Sequence, residues 1–256
     1  MTIALFFYFG YGRELLEQIL PERAVDVLLS YFGGGFFHFI FVIFALIFVW
    51  RHYRAGKRAS ELQAVARQFG WSYSPTPFSK LIPYLDGIRK SRGNSRFEIE
   101  NVKNVMSAMI NNASVAVFDH SFTERAGSSS TKYFETVFLI ASNNLNLPNF
   151  HTQQEGFLDS FYNDPYHRRN VDFPDRPQFS QQYLARGYDE ASIRRVFTRP
   201  VLEFYEEQFP LETIGGGHCL CIFQPRDGDT RVTPDEISIW VQALLRLSNL
   251  FQNAPR

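Results

Sequence analysis

The sequence predicts an α+β protein in which an N-terminal transmembrane helix is followed by a soluble domain with an antiparallel sheet and flanking helices. Residues 36–50 contain no Asp, Glu, Lys or Arg, and four cations follow within eight residues. Several segments rich in β-branched and aromatic residues then succeed one another without a helix between each pair. A parallel, doubly wound sheet requires regular strand–helix alternation, so this order favours an antiparallel sheet.

The transmembrane helix is placed at 29–50. At about 1.5 Å per residue, 36–50 covers only about 22 Å of a hydrocarbon core that is about 30 Å thick. Extending the helix back to Leu29 gives about 20 residues, which is enough to cross. Aromatic residues stand near both ends of this span, as expected for interfacial belts.

A basic juxtamembrane segment, 51–59, follows the span. Residues 1–30 carry two cations and four acids, and positively charged flanks stay on the cytoplasmic side. We therefore expect a single-pass membrane protein with its N-terminus outside or in a lumen and its C-terminal domain in the cytoplasm. The cations of the basic segment should contact anionic lipid headgroups. The expected membrane-interface residues are Trp50, Arg51, Tyr53, Arg54, Lys57 and Arg58.

Residues 1–28 form a separate N-terminal segment with two open interpretations. The apolar and acidic residues of 13–32 indicate an amphipathic helix, interrupted or restarted at Pro21, that lies along the outer membrane surface. Alternatively, this segment packs against the span or against a partner subunit. A cleaved signal peptide is the main rival, but 3–9 lacks a basic start and a small-residue cleavage site.

The domain at 60–251 is long enough and apolar enough for a packed core. A linker at 147–178, rich in Pro, Asn and Asp, separates two halves, 60–146 and 179–251. Each half holds a hairpin and a helix, so an internal duplication is left open.

In the first half, a capping box at Ser60 and a glycine at Gly70 delimit a helix. Strands are expected at 97–105, 107–122 and 132–142. Asn111 and Asn112 suit a tight turn between two hairpin arms.

In the second half, Asp189 suits the N-cap of a helix, and Thr233 with Glu236 forms a capping box for the last helix. A glycine run at 215–217 suits a hairpin turn, because it lacks the spacing of a phosphate-binding loop. The other elements expected here are a strand at 179–186 and helices at 190–197 and 200–208.

Charge and cysteine content limit the function classes. The formal net charge is zero, unlike the basic surface of nucleic-acid-binding proteins. Cys219 and Cys221 lie one residue apart on the same face of a predicted strand, where they are poorly placed to bridge each other. Such cysteines suit a reducing cytoplasm.

A basic segment is followed by LQAVARQFGWSYS at 62–74, MSAMINNASVAVFDHSF at 106–122, YFETVFLIAS at 133–142, PNFHTQQEGFLDSF at 148–161 and VDFPDRPQFSQQYLARGYDEASIRRVFTRPVLEFY at 171–205. This layout resembles a family of uncharacterised bacterial single-span membrane-anchored proteins with a cytoplasmic α+β domain. The resemblance covers most of 50–251 and is one of layout and aromatic spacing. It implies the topology given above and no particular reaction.

No catalytic, cofactor-binding or metal site is predicted. Asp119 and His120, with Glu124 and Glu135 adjacent across a hairpin, would suit acid–base chemistry. Neighbours in a strand point to opposite faces, however, so a solvated strand edge is the preferred interpretation.

Two further clusters contain residue types that bind ligands in other proteins. His218 precedes Cys219 and Cys221, but alternation places it on the other face and leaves two thiolates, so small core residues are expected there. Cations that would suit a phosphate or an acidic partner are His167, Arg168, Arg169, Arg194, Arg195 and Arg199. Solvated charged surface is their commoner role.

Together these observations predict a non-enzymatic accessory, assembly or interaction subunit of a membrane protein complex. The sequence shows no nucleophile–base set, metal cage or nucleotide loop, while its aromatic segments offer contact surface. The expected partners are the lipid bilayer and other membrane proteins, without nucleic acid or cofactor. The alternative is a membrane-tethered enzyme or small-ligand sensor whose pocket uses Asp119, His120, Glu135 or Arg169.

Overall fold

The structure is a computed structural model that describes residues 35–79, 81–84, 101–126, 129–154, 169–208, 210–225 and 229–255. The chain divides into two compact units, Met1–Arg58 and Ala59–Arg256. Within the described residues, the first unit is helical, and the second contains a sheet with flanking helices.

Helix α1 spans Gly35–Gln68 without a break. A helix start at Ser60 is therefore wrong, because this residue lies inside α1. The predicted end is confirmed: Gly70 follows the helix with a φ of 67°, a conformation that glycine adopts without strain. Leu62 and Ala66, one turn apart, lie in the second unit and belong to its hydrophobic core.

The transmembrane helix predicted at 29–50 is wrong. Over the part of the chain that the structure describes, no helix is both long enough and apolar enough to cross a membrane. Helix α1 is described from Gly35, and Arg51 ends its uncharged run. The residues from Gly35 to Trp50 rise about 24 Å, short of a hydrocarbon core about 30 Å thick.

The predicted single-pass localisation, with an outer or lumenal N-terminus and a cytoplasmic C-terminal domain, depends on that span and fails with it. The N-terminal segment at 1–28, and 29–34 of the predicted span, lie outside the described residues.

The described residues contain ten strands in one sheet. Their order across the sheet is β1-β2-β3-β4-β9-β8-β5-β7-β6, and β10 pairs in parallel with β4. Every other pairing is antiparallel. The strands are β1 Ser72–Ser74, β2 Val102–Ile110, β3 Ala113–Ala126, β4 Ser129–Ala141, β5 Leu147–Gln154, β6 Arg169–Val171, β7 Tyr183–Gly187, β8 Glu212–Gly217, β9 Cys219–Phe223 and β10 Asp229–Thr230.

The first hairpin forms where the sequence predicts it. Asn111 and Asn112 connect β2 to β3 with φ values of 49° and 64°, the left-handed conformation that a two-residue hairpin turn needs. Strands from both predicted halves then enter the same sheet, because β9 of the second half pairs with β4 of the first.

Two predictions around the linker are wrong. Residues Leu147–Gln154 form β5, which pairs with β7 and β8 inside the sheet. Residues predicted as a strand from 179 begin instead with helix α2, Pro177–Gln182, because proline suits the first turn of a helix. Strand β7 starts only at Tyr183.

Three more helices complete the described fold: α3 Glu190–Val196, α4 Arg199–Glu207 and α5 Ile237–Gln252. Both caps predicted in the second half are confirmed. The Asp189 carboxylate accepts a hydrogen bond from the Ser192 amide at 3.0 Å. The Glu236 carboxylate accepts from the Thr233 amide at 3.1 Å, at the 3₁₀ turn that leads into α5.

Both faces of the sheet are buried. Along β3, Val115 and Val117 belong to a helix-side core, whereas Ala116 and Phe118 belong to a second core on the opposite face. This alternation follows from the period of two in a strand. The site residues described below therefore lie in two separate environments.

Gly187 lies where β7 passes β5 and α3. An added Cβ would lie 2.6 Å from the Asn149 carbonyl oxygen and 2.4 Å from Ile193 Cδ1. Because this carbonyl belongs to a paired strand, we expect Gly187→Ala to lower the free energy of unfolding by about 1–3 kcal/mol in urea denaturation. The control is Gly56→Ala, where a Cβ meets nothing within 4 Å. Equal losses in both variants would contradict the expectation.

Candidate functional site

Helix α1 carries a contiguous set of exposed apolar side chains, which we call the apolar helix surface. Phe44 is 67% exposed and Trp50 is 57% exposed. Its members are Ile43, Phe44, Leu46, Ile47, Phe48, Val49, Trp50 and Tyr53. Because five consecutive positions exceed one turn of 3.6 residues, every side of the helix is apolar here. Single exposed apolar residues are ordinary, whereas a contiguous patch marks an interaction site.

Cations continue the helix beyond this surface. The guanidinium of Arg54 lies over the Trp50 ring, 4.7 Å from its centroid, which holds the indole and the charge together. Tyr53 is 66% exposed, and Lys57 and Arg58 follow one turn later. The structure places five of the six predicted interface side chains, since that of Arg51 is not described. Their contact with lipid headgroups stays a prediction.

Asp119 and His120 point to opposite faces of β3, as strand alternation requires. The His120 imidazole lies opposite Glu135, with Nδ1 2.9 Å from Oε1, and both side chains are buried. The adjacency predicted for Glu135 is confirmed, whereas the solvated strand edge is wrong. The side chain of Glu124 is not described.

Asp119 belongs to a hydrogen-bonded network on the helix side of the sheet. Its carboxylate accepts from Asn104 Nδ2 and from Thr136 Oγ1, each at 3.0 Å. Tyr73 donates to Asn104 Oδ1 at 2.9 Å, and the Val232 amide donates to Thr136 Oγ1 at 3.1 Å. Burial of the Tyr73 phenol, and then the charge of Asp119, raise the pKa of that phenol. The network joins four strands to the segment before α5.

A bulge in β2 positions Asn104 for this network. Pairing between β2 and β3 shifts register between Lys103 and Met106, and Asn104 has a φ of 54°. Asparagine tolerates this conformation better than most residues. Asn104 thereby reaches both Tyr73 and Asp119.

The structure contains a second buried acid–histidine pair, which the sequence does not predict. His151 Nε2 of β5 lies 2.5 Å from Glu212 Oε1 of β8, and both side chains are buried. Because His151 opposes Ile214 in the register, it and Glu212 lie on the face of the second core, as His120 does. The sequence does not reveal this pair because 147–154 has the composition of a linker.

Three hydroxyl groups meet on the opposite face of these strands. Thr152 of β5 pairs with Thr213 of β8, and Tyr205 of α4 is fully buried beside them. Burial raises the pKa of Tyr205 strongly, and the nearby hydroxyl groups of Thr213 and then Thr152 oppose that rise. The Tyr205 phenol therefore stays neutral near pH 7, which argues for a structural role.

Two surface clefts were found among the described residues. The first, about 390 Å³, is lined by the side chains of Asn144, Asp189, Arg195 and Phe251, among others. The second, about 570 Å³, is lined by Gln154, Pro210, Asp229, Glu236 and Trp240, among others. Their sizes suit small ligands.

The acids that line these clefts already serve the fold. Asp189 caps α3, and the hydrogen bonds from Ser192 lower the pKa of its carboxyl. Asp229 binds Arg231 at 2.6 Å, and Glu236 caps the turn before α5. Neither cleft is lined by Asp119, His120 or Glu135.

The remaining predicted residues are placed as follows. Arg194 pairs with Glu190 and Arg199 pairs with Glu203, each at 2.8 Å, as surface ion pairs one turn apart. His167 and Arg168 lie outside the described residues, as does the side chain of Arg169. The hairpin turn predicted at 215–217 is displaced, because this whole run lies within β8. Gly217, with a φ of 56°, and His218 form the connection to β9.

No group of three or more His, Cys, Asp or Glu residues that could hold a metal ion was found in the described part of the chain. His218 Nδ1 instead donates to the Leu145 carbonyl at 2.6 Å. Cys219 and Cys221 share one face of β9, as predicted, with their sulfurs 4.0 Å apart.

No protein-family model matches the chain, and the comparison with curated proteins gives no match. Among solved structures, the chain is similar to the crystal structure of the mycobacterial trehalose monomycolate transport factor A, TtfA. The TM-score is 0.51 at 12% sequence identity, over 77% of this chain and 96% of that chain. At this identity the likeness shows the fold alone. The resemblance to an uncharacterised bacterial family stays a prediction.

Proposed function

We propose that this protein is a non-enzymatic interaction subunit that binds another protein, as an accessory or assembly factor of a membrane protein complex. The apolar helix surface carries this proposal. Its exposed side chains include Phe44, Phe48, Trp50 and Tyr53, aromatic types that are enriched in the buried centres of interfaces.

The apolar helix surface has the composition expected of a helix that a partner protein buries. Burying one large apolar side chain contributes about 1.5–3 kcal/mol, so several of them supply a substantial driving force for association. A helix can dock its apolar side chains into a hydrophobic groove. Arg54, Lys57 and Arg58 at one end favour a partner with acidic residues at the rim of that groove.

The buried titratable groups support binding over catalysis. His120 with Glu135, and His151 with Glu212, contact each other inside the sheet and line neither cleft. A general acid or base must reach a substrate within hydrogen-bonding distance. The neighbour of similar fold is a transport factor, and an accessory role is compatible with that name.

The experiment is co-purification of tagged full-length protein from its own cells in mild detergent, followed by native sizing and identification of what co-migrates. We expect a defined protein partner. Phe44→Gln, Ile47→Gln and Trp50→Gln combined should reduce its recovery at least about tenfold, equivalent to about 1.4 kcal/mol of binding free energy.

A matched control carries Met109→Gln, Tyr188→Gln and Ile239→Gln, three apolar side chains that are exposed elsewhere in the protein. This variant should retain the partner, and both variants should unfold at the wild-type temperature. Wild-type protein that migrates alone or as a homodimer, or equal recovery of the partner with both variants, would overturn the proposal.

A further inference from the structure

The two cysteines of β9 combine accessibility with burial. Cys219 and Cys221 place their sulfur atoms 4.0 Å apart, and neither is in a disulfide. Cys221 is fully buried in the second core, whereas Cys219 is half-buried beside the exposed turn at Gly217 and His218. Cys219 is therefore partly exposed to solvent, while Cys221 is held inside the protein.

The neighbouring strands shape the surroundings of the two sulfurs. Cys219 lies between Ala141 of β4 and Gly216 of β8, the smallest side chains available. Cys221 lies between Leu139 and a β8 isoleucine, whose larger side chains exclude water. Small residues thus flank Cys219, and apolar side chains flank Cys221.

We propose that Cys219 and Cys221 bind a soft, thiophilic monovalent metal ion, with Cu(I) as the best fit. At a metal–sulfur distance of about 2.3 Å, sulfurs 4.0 Å apart subtend an angle of about 120° at the ion. This angle suits three-coordination, with the third position left for a ligand from solvent, such as a small thiol. Thiolate ligands favour Cu(I) because both are soft.

The same geometry argues against zinc. Structural zinc takes four protein ligands, and catalytic zinc takes three with water in the fourth position. The described residues offer no group of three His, Cys, Asp or Glu here. Two thiolates alone match neither arrangement.

Binding requires no electron transfer. Two neutral thiols and one Cu(I) give a bis-thiolate complex with one negative charge, and two protons are released. A disulfide is less suited, because residues two apart in a strand have Cα atoms about 6.6 Å apart, close to the upper limit for a bridge. Pairing with β4 and β8 on both sides restrains β9 from closing that distance.

The test is an anaerobic titration of reduced full-length protein with Cu(I), in competition with a coloured Cu(I) chelator. We expect one Cu(I) per chain, with a thiolate-to-copper charge-transfer band in the near ultraviolet. Cys219→Ser and Cys219→Ala should each weaken binding by about a hundredfold or more, since loss of a direct ligand exceeds the 10–100-fold cost of losing an outer-shell partner. These variants avoid altering the fully buried Cys221.

The control is Met109→Leu, which removes an exposed soft sulfur from β2 and should leave Cu(I) binding unchanged. As a second readout, Cu(I) should raise the unfolding temperature of the wild type and not that of the Cys219 variants, because a ligand stabilises the state that binds it. Unchanged affinity in both Cys219 variants, or no stoichiometric binding to the wild type, would overturn the site.

Discussion

Glu212→Leu is expected to lower the free energy of unfolding of the full-length chain by about 3–5 kcal/mol. The Glu212 carboxylate lies 2.5 Å from His151 Nε2, and both side chains are buried. Leucine removes the carboxylate while His151 stays inside the sheet, so the imidazole loses an acceptor that water cannot readily replace. Urea denaturation monitored by circular dichroism measures the change.

A double-mutant cycle separates the pair from the cost of altering each site. Glu212→Leu combined with His151→Leu should recover part of the loss, because apolar side chains can replace a buried pair at little cost. The control Glu207→Gln alters an exposed carboxylate 3.4 Å from Arg246 and should change little. A loss below about 1 kcal/mol for Glu212→Leu would contradict the assigned role.

Phe197→Ala is expected to lower the free energy of unfolding by about 3–5 kcal/mol. Phe197 is 2% exposed and lies in an aromatic cluster that links the sheet to its helices. Its ring centroid is 5.0–6.1 Å from those of Phe150, Phe173, Phe179, Tyr205 and Phe251. Alanine leaves a cavity and removes these ring contacts, each worth about 0.5–1.5 kcal/mol beyond buried area.

Two variants establish whether the loss comes from this packing. Phe197→Leu keeps most of the volume and should cost less than Phe197→Ala. Tyr188→Ala truncates an aromatic residue that is 66% exposed and should change the urea midpoint little. If Phe197→Ala unfolds at the same urea concentration as Tyr188→Ala, the cluster does not stabilise the fold as described.

Several local elements could be predicted because their causes are local. A turn with both central residues left-handed favours asparagine, as at Asn111 and Asn112. The caps at Asp189 and Thr233 need only a side chain and amides within one helical turn. Likewise, Glu135 was expected near His120 because one short hairpin brings them together.

The central strand β5 could not be recognised in this way. Its sequence begins Leu-Pro-Asn and continues with His, Thr and two Gln, which resembles a loop by composition. Its partners β7 and β8 lie far along the chain, and the pair of His151 with Glu212 joins residues 61 positions apart. Polar residues are stable in such a strand only because its neighbours satisfy them.

Sequence by itself determined the antiparallel sheet with flanking helices, the first hairpin and the helix caps at Asp189 and Thr233, since periodicity and capping act within a few residues. It also located the apolar segment of α1, although the transmembrane interpretation of that segment is wrong. Tertiary structure decided the strand order and the burial of both acid–histidine pairs. Long-range pairing sets the register of each strand, and the register decides which side chains meet.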